Sequence, residues 1–166
     1  HLIFGADDET MEKVVVDLLK DRGWTLGVAE SMTGGLVGAR VCEVPGSSDV
    51  FKGSLVSYAT EVKRSVLGVT AEKVISGECA IQMADGARRV LGTDVGISVT
   101  GVAGPAEQEG QPVGTVWFGV SIGEGPTEAV QGRLPGDRPR IRQFATISLF
   151  NLLRLRLLNL DGSGLL

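Results

Sequence analysis

Ser31 opens the run Ser31-Met32-Thr33-Gly34-Gly35, directly after the apolar stretch Leu26-Gly27-Val28-Ala29 and Glu30. A hydroxyl between a buried strand and a glycine-opened helix has two uses. It can stand as a nucleophile at the carboxyl edge of a sheet, or it can cap the helix while backbone N–H groups of the turn face an anion. Thr33 carries the same ambiguity. Glu30 reads either as a charge paired with a neighbour or as a group that orients a lysine. Further along lie Tyr58 and Lys63. Lys63 is by default a solvated surface cation; to act as a base it has to lose its proton near neutral pH, which requires burial or a nearby positive charge. Tyr58, the only tyrosine, reads as a core aromatic with a wet tip or as a proton relay.

Two further loops could hold a ligand. Thr100-Gly101-Val102-Ala103-Gly104-Pro105 follows a buried strand, and its glycines allow close backbone approach, as they would in an ordinary Gly/Pro turn. Gly136-Asp137-Arg138-Pro139-Arg140-Ile141-Arg142 opens the final helix, where arginines could clamp a phosphate or simply be solvated. The one histidine, His1, reads as a remnant of tagging or cleavage. Without it a Ser-His-Asp triad and a histidine-rich metal site are both excluded. Any general base is then Lys, Tyr, Asp, Glu or Cys, and no metal or cofactor is expected.

The elements that must position these groups alternate in type. Asp7-Asp8-Glu9-Thr10 reads as a helix start, and Met11, Val14, Val15, Leu18 and Leu19 repeat at helical spacing until Gly23. Strands are expected at 25–29, 51–58, 94–100, 115–122 and 128–134, the last two as a hairpin. Helices are expected at 35–43, 61–67, 78–91 and 139–160, with Ile81, Ala84, Ala87 and Leu91 on one face of the third. The pattern predicts a three-layer α/β/α sandwich with a mixed, mostly parallel sheet, because a hairpin reverses one strand. The last helix carries Leu149, Phe150, Leu152, Leu153, Leu155, Leu157 and Leu158, apolar over most of its circumference. That predicts either the edge of the core or a contact with another chain or domain.

The 166 residues suit one domain, and 24 glycines, about twice the usual share, imply many tight turns. A formal net charge of −4 without a dominant basic patch argues against nucleic-acid binding. Cys42 and Cys79 follow no metal or redox spacing and read as buried, reduced thiols in helices, which fits a cytoplasmic protein. No apolar run approaches the roughly 20 residues of a membrane span, and no signal peptide is visible.

Taken together, AESMTGG at 29–35, PGSS at 45–48, the run ending at Tyr58, Lys63, MADGAR at 83–88, ISVTGVAGP at 97–105, PVGTVWF at 112–118 and GDR at 136–138 resemble the nicotinamide-nucleotide amidase family. This is the C-terminal domain of the competence/damage-inducible protein CinA, also found alone as a PncC-type deamidase. The resemblance implies hydrolysis of nicotinamide mononucleotide to nicotinate mononucleotide and ammonia. It implies Ser31 as nucleophile, activated by Lys63 and Tyr58, with Glu30, Thr33, Gly34, Gly35, Thr100, Gly101, Gly104, Arg138 and Arg142 around the substrate. It also implies a homo-oligomer. Residues 3–10 look like the junction after an N-terminal domain, so the chain is expected to be a single CinA C-terminal domain excised from a two-domain protein. A catalytically weak nucleotide-binding or oligomerisation domain is the alternative. The chain departs from the family pattern at three places: Met32 replaces a common cysteine, the stretch from Gly68 to Met83 is short, and Ala106-Glu107-Gln108-Glu109 replaces a glycine-rich run.

Overall fold

The computed structural model describes residues 9–160. Asp7, Asp8 and the junction-like residues before them, together with His1, lie outside the described part. The element order is α1 (Met11–Arg22), β1 (Leu26–Glu30), α2 (Leu36–Cys42), a 3-10 turn (Ser47–Asp49), β2 (Phe51–Val56), α3 (Thr60–Leu67), α4 (Gly77–Leu91), β3 (Val95–Gly101), β4 (Thr115–Ile122), β5 (Glu128–Arg133) and α5 (Arg138–Leu160). Thr10 caps α1 by accepting from the Lys13 N–H, and Gly23 ends it in the left-handed conformation that glycine adopts without a Cβ clash.

The five strands form one sheet in the order β2-β1-β3-β4-β5. β1 pairs in parallel with β2 and β3, while β4 is antiparallel to both β3 and β5. Four strands therefore share one direction and only β4 is reversed, as the hairpin dictates. Helices cover both faces, giving the expected α/β/α layers.

The two faces are built differently. Val28, Ile97, Val99, Val116, Phe118 and Val120 join residues of α1, α2 and α5 in the larger apolar core. The opposite face presents Gly27, Gly96, Ser98 and Gly119 to α4. A Cβ on Gly96 or Gly119 would lie 2.3 Å from the carbonyl oxygens of Ala84 and Ala80. The helix therefore rests almost backbone to backbone on the sheet, and Ser98 donates to the Ala80 carbonyl at 2.6 Å. This close approach moves the buried stripe of α4 to Cys79, Ala80, Met83, Ala84, Gly86 and Ala87. Of the four residues expected on one face, Ala84 and Ala87 are buried and Ile81 and Leu91 only half-buried.

In α5 the stripe Ile141, Ala145, Leu149, Phe150, Leu153 and Leu157 is buried, whereas Leu152, Leu155 and Leu158 are half-covered. Cys79 is buried as expected, but Cys42 is exposed: it is the last residue of α2, where the helix leaves the core. Among the described residues no helix is long and apolar enough to cross a membrane.

Candidate active site

The site lies at the carboxyl ends of β1, β2 and β3. The crossover after β1 carries α2 onto the large-core face, and the crossover after β2 carries α3 and α4 onto the other. Open α/β sheets bind ligands where successive connections diverge in this way. A cleft of about 500 Å³, counted to its open mouth, is lined there by Ser31, Met32, Tyr58, Thr60, Lys63, Val74, Ile75, Thr100, Gly101, Ala103, Gln108 and Arg138.

Ser31 immediately follows β1 and is 8% exposed. Its N–H donates to the Val99 carbonyl at 3.1 Å and its carbonyl accepts from the Gly34 N–H at 3.0 Å, so the backbone around the hydroxyl is held on both sides. Lys63 lies on α3, is only 2% exposed, and lines the same cleft. Its Nζ donates to the Ser57 carbonyl at 2.7 Å and the Tyr58 carbonyl at 3.0 Å. Burial lowers the amine's pKa from the ordinary 10.5, against the opposing influence of the Cys79 sulfur and the Glu109 carboxylate. Burial also pushes the Cys79 thiol up to about 11, so it stays protonated at neutral pH. A neutral amine can satisfy both carbonyls with its two hydrogens and keep its lone pair for a third partner.

Tyr58 is not a core aromatic: the residue is 61% exposed and lines the cleft. Its hydroxyl accepts from Arg138 at 3.0 Å, while its backbone carbonyl, not its phenol, engages Lys63. Arg138 also donates to the Gly104 carbonyl at 2.6 Å. One guanidinium thus joins the start of α5, the loop after β3 and the tyrosine.

Glu30, Thr33, Gly34, Gly35 and Arg142 are absent from the cleft wall. The Glu30 carboxylate is fully buried and faces α2. Oε1 accepts from the Thr33 hydroxyl at 2.7 Å and the N–H groups of Gly35 and Val37 at 3.1 and 2.9 Å. Oε2 accepts from the Gly38 N–H at 3.0 Å and the Ser54 hydroxyl at 2.6 Å. The anion expected at this helix N-terminus is therefore the chain's own carboxylate. Arg142 braces the same turn from outside, donating to the carbonyls of Met32 and Thr33 at 2.9 and 2.8 Å. Thr100 and Gly101 do reach the cleft, whereas Gly104 contributes through its bond to Arg138.

Sequence reasoning met Val74 and Ile75 only within the short stretch before Met83, and Gln108 only within the altered run 106–109, and assigned none of them to the site, because a loop and a non-helical connection bring them to the cleft.

The comparisons agree with this architecture. The CinA C-terminal domain profile matches residues 8–157. A CinA-like protein of Frankia casuarinae is 48% identical over 97% of this chain and 38% of its own length. One from Dictyoglomus turgidum is 47% identical over 95% of this chain and 40% of its own. A crystal structure of a CinA superfamily protein from Klebsiella pneumoniae superposes with a TM-score of 0.86 at 32% identity, covering 90% of this chain and 96% of the other. The α/β fold with a polar cleft at the strand ends is that of a CinA-type domain. The chain belongs to the CinA C-terminal domain family. It spans about two fifths of the length of these curated relatives.

Proposed function

We propose that this domain is an amidohydrolase that converts nicotinamide mononucleotide to nicotinate mononucleotide and ammonia. The observation that carries the reading is that Ser31 and the buried Lys63, whose pKa burial lowers, line one cleft. It is joined by the family membership and the resemblance of the motifs.

In this reading the neutral Lys63 amine takes the Ser31 proton as Oγ attacks the carboxamide carbon. The C–N bond then breaks, the lysine ammonium returns its proton to the departing nitrogen, and ammonia leaves. Water hydrolyses the resulting ester with Lys63 again as base, freeing the carboxylate product and Ser31. The N–H groups of Gly34, Gly35, Val37 and Gly38 are occupied within the protein. Those of Met32 and Thr33 are left as the turn's candidates for holding the oxyanion. In this reading Arg138, with Tyr58 beside it, receives the phosphate. The domain works in the cytoplasm on a free nucleotide, as a homo-oligomer and as one unit of a longer CinA-type protein, without nucleic acid.

The test is ammonia release from nicotinamide mononucleotide. Wild type is expected to be active, and Ser31→Ala and Lys63→Ala to lose about 10³-fold or more while remaining folded, Ser31→Ala with the wild-type melting profile. An inert wild type at high enzyme concentration would reject the activity; a fully active Ser31→Ala would reject only the nucleophile.

A further inference from the structure

The turn 108–111 contributes Gln108 to the cleft lining, and its next residue reaches the connection before α4. The Gln111 N–H donates to the Gln108 carbonyl at 2.7 Å, and the Gln108 N–H returns a longer bond of 3.4 Å to the Gln111 carbonyl. The two residues between them, Glu109 and Gly110, have φ of 52° and 73°, the pattern of a type I′ turn. Glycine, asparagine or aspartate is the usual occupant of such positions. Glu109 is the only non-glycine residue with positive φ among the described residues.

The carboxylate has a specific engagement that accompanies this backbone. Oε1 accepts from the Ile75 N–H at 2.7 Å and Oε2 from the Val74 N–H at 3.0 Å. Each oxygen thus serves one of two consecutive amides that belong to no helix or strand. Val74 and Ile75 form a wall of the cleft, and Gln108, the first residue of the turn, lines it beside them. From the other side Thr100, also in the cleft, donates its hydroxyl to the Val74 carbonyl at 2.9 Å. The connection before α4 is therefore gripped from the end of β3 and from the turn at once. Ser31 and Lys63 are anchored elsewhere, on Val99 and on the carbonyls of Ser57 and Tyr58.

We propose that Glu109 is a positioning residue: its carboxylate clasps the Val74–Ile75 wall in place and so sets how tightly the cleft holds its substrate. The clasp rests on geometry alone; its consequence for substrate rests on the deamidation reading. A wall left without its acceptor has to be ordered when the substrate arrives, which weakens binding. The reacting groups keep their own anchors, and because loss of the Glu109 charge lowers the Lys63 pKa further, kcat is compared on the plateau of its pH profile, where the effect falls on KM.

The experiment pairs amide hydrogen exchange, resolved by NMR at Val74 and Ile75, with steady-state kinetics on nicotinamide mononucleotide. The variants are Glu109→Gly, which removes the carboxylate while suiting the positive φ, and Glu109→Gln, which keeps one acceptor oxygen. For Glu109→Gly we expect exchange at both amides about tenfold faster and KM about tenfold higher, with kcat within about threefold. Glu109→Gln is expected to fall between it and wild type, and it alone decides the matter if the glycine variant does not fold. Unchanged exchange at the two amides in a folded Glu109→Gly overturns the clasp. Faster exchange with an unchanged KM overturns its role in substrate fit. A wild type without turnover counts against the deamidation reading only: exchange still reads the clasp, and calorimetric affinity for the nucleotide replaces KM with the same expected loss.

Discussion

Lys63 is where burial and chemistry meet. An ammonium enclosed at 2% exposure is penalised by lost hydration, so the neutral amine is favoured relative to a solvated lysine. A base has to be neutral to act. The kcat/KM profile is therefore expected to rise with pH through the Lys63 titration and to reach its plateau below the ordinary lysine range. Lys63→Arg fixes the positive charge and is expected to lower activity by about 10³-fold at every pH tested, since a guanidinium does not deprotonate. The two arginines of α5 separate in the same way by what they touch. Arg138 faces the cleft, so Arg138→Ala is expected to raise KM by roughly tenfold or more. Arg142 instead satisfies the Met32 and Thr33 carbonyls, so Arg142→Ala is expected to cost about 1–3 kcal/mol in urea denaturation. Both were equal candidates for a phosphate in the sequence, because neighbouring positions on a helix give no hint of which carbonyls a distant loop will present.

At the scale of elements, the turn from β1 into α2 is organised around Glu30. Five donors from the turn, from α2 and from β2 converge on one buried carboxylate. Gly38 makes this possible: a Cβ there would lie 2.9 Å from that of Ser54 and 3.5 Å from Glu30 Oε2. Glu30→Gln places an NH₂ group opposite N–H and O–H donors and is expected to destabilise the fold by about 2–4 kcal/mol, read by chemical denaturation. It should also lower activity by loosening the turn that carries Ser31. The serine loop was legible from its glycines and its position after an apolar strand. The use of Glu30 as an internal anion was not, because Ser54 reaches it through the pairing of β1 with β2. The short stretch before α4 and the altered run after Pro105 were noted separately as departures from the family pattern. In the fold they are joined by Glu109.

Over the whole molecule, the sheet order accounts for the position of the site. The carboxyl ends of three parallel neighbours bring Ser31, Tyr58 and Thr100 to one edge from points far apart in the chain. A net charge of −4 is compatible with the proposed nucleotide being bound by a local guanidinium.

The sequence by itself determined the alternation of helices and strands, the reversed hairpin and the loops that would lie at the strand ends. Those features follow from short-range periodicity and from turn residues, each of which acts within a few positions. It also narrowed the chemistry by offering a serine, a lysine and a tyrosine but no histidine beyond His1. Only the tertiary structure decided that Lys63 is buried, that Tyr58 is exposed beside Arg138, that Glu30 and Arg142 brace the turn and that Glu109 holds the cleft wall. Desolvation and hydrogen-bond partnership depend on which distant segments pack together, and no local pattern encodes that.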